Sequence, residues 1–233
     1  MKIRWFAFGF GLFLLLLAGV WAWDVRFHER VFNFFRKPLQ GKIWQSEVEK
    51  FENLYPKSGV ACVMFIGDSH IEQCEWNELF PDRIILNRGI GGETSSSLLL
   101  RLNSTFHNLR PECVIIQTGI NDLIAGEPID SVLANHQKIF FFLRNKTSNI
   151  LPTLIFPTRY MPDVNNKVDL LNQKLREFYL ANGFKVLDIR PQISGGKRLS
   201  ATCTPDGIHL NAQGYKIWQN EIRLNLVPST DSR

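Results

Sequence analysis

The sequence lacks most of the short motifs that identify common ligand sites. Its four cysteines form no C-x-x-C pair, and their spacings match no zinc module. It contains no G-x-G-x-x-G or G-K-[ST] motif, which argues against a nucleotide loop, and no G-x-S-x-G motif, which argues against an α/β-hydrolase nucleophile turn. We therefore expect no metal and no cofactor. The cysteines are expected either to form one or two disulfides in an oxidising compartment or to be buried free thiols.

The chain has little net charge outside its N-terminal segment. Residues 1–60 hold nine Lys/Arg against five Asp/Glu, and residues 61–233 hold eighteen against seventeen, which accounts for the formal charge of +5. A near-neutral body offers no basic face, so we expect no nucleic-acid partner. With 233 residues, 45% of them hydrophobic, the chain has the apolar material for one substantial core and an appendage.

The longest uncharged hydrophobic run lies near the N terminus, from Trp5 to Trp23. A helix of about 19 residues spans the hydrocarbon core of a bilayer, and tryptophan favours the headgroup zone at each end. We predict a single transmembrane anchor over residues 1–23, with the bilayer as a partner of residues 5–23. A signal peptide cleaved near Ala22 is the alternative. Positive-inside counting and the usual orientation of short N-terminal anchors conflict, and we expect an extracytoplasmic catalytic body.

The remainder of the chain is divided by its hydrophobic pattern. Residues 24–58 are predicted to form a juxtamembrane helical segment, residues 59–228 a catalytic domain and residues 229–233 a tail. Short apolar runs predict five buried strands, at 61–66, 83–86, 113–117, 150–156 and 184–188. Helical periodicity covers 72–80, 94–109, 129–144, 164–181 and 211–226. This alternation predicts a doubly wound α/β sheet with helices on both faces.

Polar and glycine-rich clusters follow four of the predicted strands, at the edge where open α/β sheets bind ligands. Ser69 follows the first strand, and His209 follows the fifth. A serine hydroxyl needs a neighbouring base, and that base needs a group that holds its tautomer. Asp206 lies three residues before His209, close enough to receive its Nδ1 hydrogen. We therefore predict Ser69 as nucleophile, His209 as base and Asp206 as its partner.

Attack by serine on an ester carbonyl creates an oxyanion, which requires hydrogen-bond donors. Gly92, after the second strand, would let a backbone N–H approach the substrate closely. Asn121, after the third strand, carries a side-chain amide, and the backbone N–H of Ser69 supplies a third donor. Each cluster alone could be an ordinary turn or helix cap, but the combination is much more specific.

Four blocks, FIGDSH, NRGIGGET, GIND and DGIH, lie within residues 61–226. In order and spacing the sequence resembles the SGNH or GDSL-type hydrolases, and NRGIGGET looks most like platelet-activating-factor acetylhydrolase subunits and bacterial thioesterase/lysophospholipase members. The resemblance implies a flavodoxin-like, five-stranded parallel sheet of order 2-1-3-4-5. It also implies a Ser69–His209–Asp206 triad with Gly92 and Asn121 as oxyanion donors. His70 stands where the family name has leucine.

These observations predict a membrane-anchored serine ester hydrolase whose substrate is a small ester or a lipid such as a lysophospholipid. An O-acetyl esterase or acetyltransferase acting on envelope glycans is one alternative, and a catalytically silent binding module of the same fold is another. His70 is a candidate rim residue that touches the substrate. Arg159, after the fourth strand, is a candidate for an anionic substrate group. The oligomeric state is left open by the sequence.

Overall fold

The computed structural model of the chain describes residues 41–54, 62–194 and 197–226. The predicted membrane segment over residues 5–23 and the tail over 229–233 lie outside the described residues. Within the described ranges, no helix combines the length and the apolar character needed to cross a bilayer. The chain divides into two compact units, 1–46 and 47–233.

Strands and helices alternate along the second unit, as the hydrophobic pattern predicts. Helix α1 covers residues 41–53, of which 47–53 belong to this unit. The strands are β1 (Val63–Gly67), β2 (Ile85–Gly89), β3 (Cys113–Gln117) and β4 (Ile150–Pro152). The further helices are α2 (Ser69–Glu72), α3 (Trp76–Leu79), α4 (Ser95–Phe106), α5 (Ile120–Ala125), α6 (Ile129–Arg144), α7 (Pro162–Ala181), α8 (Arg190–Ile193) and α9 (Ala212–Asn225). A 3₁₀ turn covers Ala201–Cys203.

The four strands form one parallel sheet of order β2-β1-β3-β4. Gly67 of β1 is in register with Gly89 of β2 on one side and with Gln117 of β3 on the other. The carboxyl ends of these three strands therefore stop at the same level, and the loops that follow them start side by side.

The predicted fifth strand is wrong for the described residues. Of the segment 184–188, Leu187 alone bridges the neighbouring segment, at Thr153. The N–H of Leu187 donates to the carbonyl of Pro152, and the N–H of Leu154 donates to the carbonyl of Leu187. The next inter-strand hydrogen bond towards the N terminus would need the N–H of residue 152 as its donor. Residue 152 is proline, which has no N–H. The pairing does not continue towards the C terminus because α8 begins directly afterwards, at Arg190.

Both faces of the sheet are buried, as expected for parallel strands with helices on each side. Along β1, Met64 and Ile66 enter one hydrophobic core while Val63 and Phe65 enter another. Helices α4, α6 and α7 cover the first core, and α3 and α9 cover the second. All four cysteines are buried and free. Of the two expectations for them, disulfides or buried free thiols, the structure has the second.

Candidate active site

The turn between β1 and α2 presents Ser69 at the edge of the sheet. Gly67 has a φ of 150°, and an added Cβ would lie 1.9 Å from the carbonyl oxygen of Gln117, so only glycine fits there. Asp68 caps α2, accepting the N–H of His70 at 3.0 Å. Ser69 is the first residue of the helix, where backbone N–H groups have no partner within the helix. Its N–H is therefore placed as a donor beside its own hydroxyl.

The loop before α9 presents His209. The Oδ1 atom of Asp206 accepts the backbone N–H groups of Ile208 and His209, each at 2.9 Å, which folds the loop into a tight turn. Gly207 within this turn has a φ of 90°, a conformation that favours glycine. Asn211 caps the following helix by accepting the N–H of Gly214. The loop is thus held by its own side chains at both ends.

These two segments bring three side chains into one chain of hydrogen bonds. Nε2 of His209 lies 2.9 Å from Oγ of Ser69, and its Nδ1 lies 2.6 Å from Oδ2 of Asp206. Burial alone would raise the pKa of Asp206, but hydrogen bonds from His209 and from the N–H of Ile208 outweigh it and lower that pKa below its usual range. Asp206 therefore stays ionised and favours the tautomer in which His209 accepts from Ser69.

The other two predicted oxyanion donors, Gly92 and Asn121, lie in the segments that follow β2 and β3. Gly92 has a φ of 71° in the turn after β2, which again favours glycine. Asn121 lies in the first turn of α5, and its Nδ2 donates to the carbonyl of Glu93 at 3.0 Å. An amide nitrogen carries two hydrogens, so a second remains for a substrate oxygen. The bond to Glu93 ties Asn121 directly to the segment that carries Gly92.

A buried ion pair supports the Gly92 segment, and sequence reasoning did not find it. Arg101 of α4 is 1% exposed, and Glu93 is 2% exposed. The guanidinium forms a bidentate pair with the carboxylate of Glu93 and also donates to the carbonyl of Arg88 at 2.9 Å. The available signal was the position of Arg101 on the apolar stripe of α4, one residue before the buried Leu102.

A second buried network joins the start of α4 to α5. The carboxylate of Asp122 accepts the N–H of Ser95 at 2.8 Å and its hydroxyl at 2.6 Å. Asn135 of α6 donates to the same hydroxyl. Burial raises the pKa of Asp122, and the two bonds from Ser95 oppose that rise. Because Asp122 follows Asn121, this network fixes the helix turn that carries the amide donor.

The two predicted substrate-contact residues differ in their surroundings. His70 is 1% exposed because its ring lies between Asp68 and the carbonyl of Ile208, which corrects its predicted position at the rim. Arg159 contacts the loop that carries His209 through its backbone, whose N–H donates to the carbonyl of Gly207 at 2.7 Å. Its guanidinium lies over the ring of Tyr160, 5.6 Å from the centroid. Contact of Arg159 with a substrate stays a prediction.

No cluster of three or more His, Cys, Asp or Glu side chains within the described ranges has the arrangement of a metal site. The groups that the structure brings together at this edge of the sheet are the Ser69 hydroxyl, the His209 imidazole with its carboxylate partner Asp206, and nearby amide donors. Such a set is suited to attack on an acyl carbonyl.

Comparison with known proteins agrees with this chemistry. The profile described as the GDSL-like Lipase/Acylhydrolase family matches residues 65–217, about two thirds of the chain. The chain belongs to this family. Membership of the GDSL family confirms the resemblance found in the sequence.

Individual relatives match this GDSL-family chain over stretches of different length. A 139-residue stretch is 29% identical to the N-acylneuraminate cytidylyltransferase of Streptococcus agalactiae serotype V, covering 59% of this chain and 33% of that protein. A 65-residue stretch is 43% identical to the platelet-activating factor acetylhydrolase IB subunit alpha1 of Rattus norvegicus, covering 26% of this chain and 28% of that subunit. The chain thus spans about a third of the length of the curated relatives it matches.

A solved structure is similar to this chain over most of its length. The GDSL-like lipase of Bacteroides thetaiotaomicron has a TM-score of 0.65 and is 25% identical, covering 78% of this chain and 95% of that one. The parallel α/β architecture described above is therefore the architecture of a GDSL hydrolase.

Proposed function

We propose that the protein is a membrane-anchored serine esterase of the lysophospholipase type, which forms an acyl-enzyme on Ser69. The contact that carries the proposal is the 2.9 Å approach of His209 Nε2 to the Ser69 hydroxyl, with Asp206 on the opposite ring nitrogen. A serine next to a base that is oriented by a carboxylate is the arrangement of an activated nucleophile. This assignment accounts for both ring nitrogens of His209.

The first half of the reaction transfers the acyl group to the enzyme. Ser69 Oγ attacks the ester carbonyl carbon as His209 takes the hydroxyl proton, and the carbonyl oxygen becomes an oxyanion. The N–H groups of Ser69 and Gly92 and the free amide hydrogen of Asn121 would stabilise that charge. When the tetrahedral intermediate collapses, the alcohol oxygen leaves with the proton from His209, and the acyl group remains on Ser69.

The second half repeats these steps with water. His209 takes a proton from a water molecule, which attacks the acyl carbon of the Ser69 ester, and the same donors receive the new oxyanion. Collapse releases the carboxylic acid as Ser69 Oγ recovers its proton from His209. Asp206 stays ionised throughout and stabilises the imidazolium that forms twice in each turnover.

The substrate is proposed from two further observations. The uncharged run over residues 5–23 supports an anchor that would hold the site near a bilayer, with the catalytic body outside the cytosol. The similarity of 65 residues to a platelet-activating factor acetylhydrolase subunit supports a lipid-like ester with a short acyl group. Together they favour lysophospholipids or short-chain esters at a membrane surface.

The test uses the full chain purified in detergent, with chromogenic esters of graded acyl length and the variant Ser69→Ala. We expect turnover by the wild type, loss of turnover in the variant, and labelling of Ser69 by a fluorophosphonate, located by mass spectrometry. The chain-length profile then separates lipid from acetyl substrates. A folded wild-type protein with neither turnover nor labelling would instead support the silent binding module.

A further inference from the structure

Both ring nitrogens of His70 face hydrogen-bond acceptors. Nδ1 lies 3.2 Å from Oδ1 of Asp68, and Nε2 lies 3.0 Å from the carbonyl oxygen of Ile208. A carbonyl oxygen can only accept, so Nε2 carries a hydrogen, and an ionised carboxylate likewise requires a hydrogen on Nδ1. The environment therefore favours the doubly protonated, positively charged ring.

The other neighbours of His70 do not offer its ring a competing donor. The ring lies edge-on to Phe156, with centroids 5.3 Å apart, and the hydroxyl of Tyr215 donates to the backbone carbonyl of His70 rather than to the ring. The titratable groups around it are Asp68, Asp206 and His209, whose ring centroid lies 5.5 Å away. Burial works to lower the pKa of His70, but the hydrogen bond and charge of Asp68 outweigh it and raise that pKa above its ordinary value.

Asp68 in turn depends on His70 for charge compensation. Its carboxylate is fully buried, and its Oδ2 atom has no hydrogen-bond partner among the residues that the structure describes. A buried carboxylate without an opposite charge is costly, so the imidazolium stabilises the cap of α2 as well as contacting the distant loop.

The contact between His70 and Ile208 lies next to both Ser69 and His209 in the chain. His70 follows Ser69 directly in the chain, and Ile208 directly precedes His209. The N–H of Ile208 is held by Asp206 and its carbonyl by His70, so the peptide groups on both sides of Ile208 are fixed. The bond from His70 therefore joins the segment of the nucleophile to the segment of the base at a second point, beside the contact of Ser69 with His209.

We propose that His70 is a positioning residue whose charged ring clamps the Ile208 carbonyl and thereby holds His209 in reach of Ser69. The inference rests on the proposed function of these two residues.

The experiment compares His70→Leu, which removes both the donor and the charge, with His70→Gln, whose amide retains a donor near Ile208. We expect His70→Leu to lower kcat about tenfold to a hundredfold with little change in KM, since a shift of about 1 Å in a catalytic group costs this much. His70→Gln should recover most of kcat at its optimum.

His107→Asn is the matched control, because His107 ends α4 while the site lies at the start of that helix, about 18 Å away. If His70→Leu does not fold, the double variant Asp68→Asn/His70→Leu removes the donor without leaving a buried charge. Wild-type kcat in folded His70→Leu, or in this double variant, would overturn the clamp.

A readout independent of turnover separates this inference from the proposed function. Nitrogen-15 NMR of the histidine rings should show both nitrogens of His70 protonated at pH 6.5, and Asp68→Asn should lower the titration midpoint of that ring. A neutral His70 at that pH would overturn the proposal even if the enzyme is active. A charged His70 in a protein without turnover or Ser69 labelling would refute the esterase instead.

Discussion

The two halves of the site are supported in different ways. In the nucleophile half, comprising Ser69, Asp206 and His209, the side chain of Asp206 is 49% exposed, and local turn hydrogen bonds hold the loop. In the oxyanion half, comprising Gly92, Glu93, Arg101, Asn121 and Asp122, the Arg101–Glu93 pair has no exposed side-chain surface. The chemistry of the first half thus depends on a solvated loop, whereas the geometry of the second depends on the buried interior. A change in the first half should therefore alter turnover alone, and a change in the second should also alter stability.

The variant Asp206→Asn should separate chemistry from stability most sharply. An amide oxygen can still accept the N–H groups of Ile208 and His209 and so preserve the turn, but it does not stabilise the imidazolium or hold the required tautomer. We expect kcat to fall about 10⁴-fold. The free energy of unfolding should change by less than about 1 kcal/mol, because the ion pair is partly in solvent. Ester turnover and urea unfolding measure the two quantities.

Asp169→Asn is the control for Asp206→Asn, since Asp169 is also about half exposed and paired, to Arg190. It should leave both turnover and stability nearly unchanged. A large loss of stability in Asp206→Asn would show that the loop is held by more than its local hydrogen bonds, and the contrast between the two halves would fail.

The variant Arg101→Met should have its main effect on stability. Removing one member of a buried ion pair leaves the other charge uncompensated, so we expect a loss of about 3–5 kcal/mol in the free energy of unfolding. Replacing both partners, as Arg101→Met/Glu93→Leu, should recover part of that loss. Arg144→Met is the control, because Arg144 is exposed and lies over the ring of Phe140. If the Arg101→Met protein were as stable as the wild type, the oxyanion half would not depend on its buried ion pair, and the contrast between the two halves would fail.

The parts of the fold that the sequence predicted correctly have strong local signals. The predicted bounds of β3, Cys113–Gln117, and of α6, Ile129–Arg144, are those of the structure. The fifth strand is missing for a nonlocal reason. Pro152, on the neighbouring segment, has no N–H to donate, so the pairing at Leu187 cannot be extended by another hydrogen bond. Apolar composition over 184–188 could not reveal a defect in the neighbouring segment.

The site shows the same division between local and nonlocal information. The contact of Asp206 with His209 follows from a three-residue spacing, and the approach of Ser69 follows from the rule that ligands meet the carboxyl ends of parallel strands. The burial of His70 depends on Ile208, which lies 138 positions further along the chain. No spacing within the FIGDSH block could indicate that the ring turns inward to this carbonyl.

The variant Asn121→Ala tests how far the two halves overlap, and its expected effect is the smallest of the three. Loss of one oxyanion donor should lower kcat about 10²- to 10³-fold, or about 2.7–4 kcal/mol in the barrier. Loss of the hydrogen bond to the Glu93 carbonyl should cost about 1 kcal/mol of stability. Asn145→Ala is the control, because Asn145 likewise donates one bond to a backbone carbonyl but lies at the end of α6. If Asn121→Ala lost only stability, the oxyanion half would serve the fold and not the reaction.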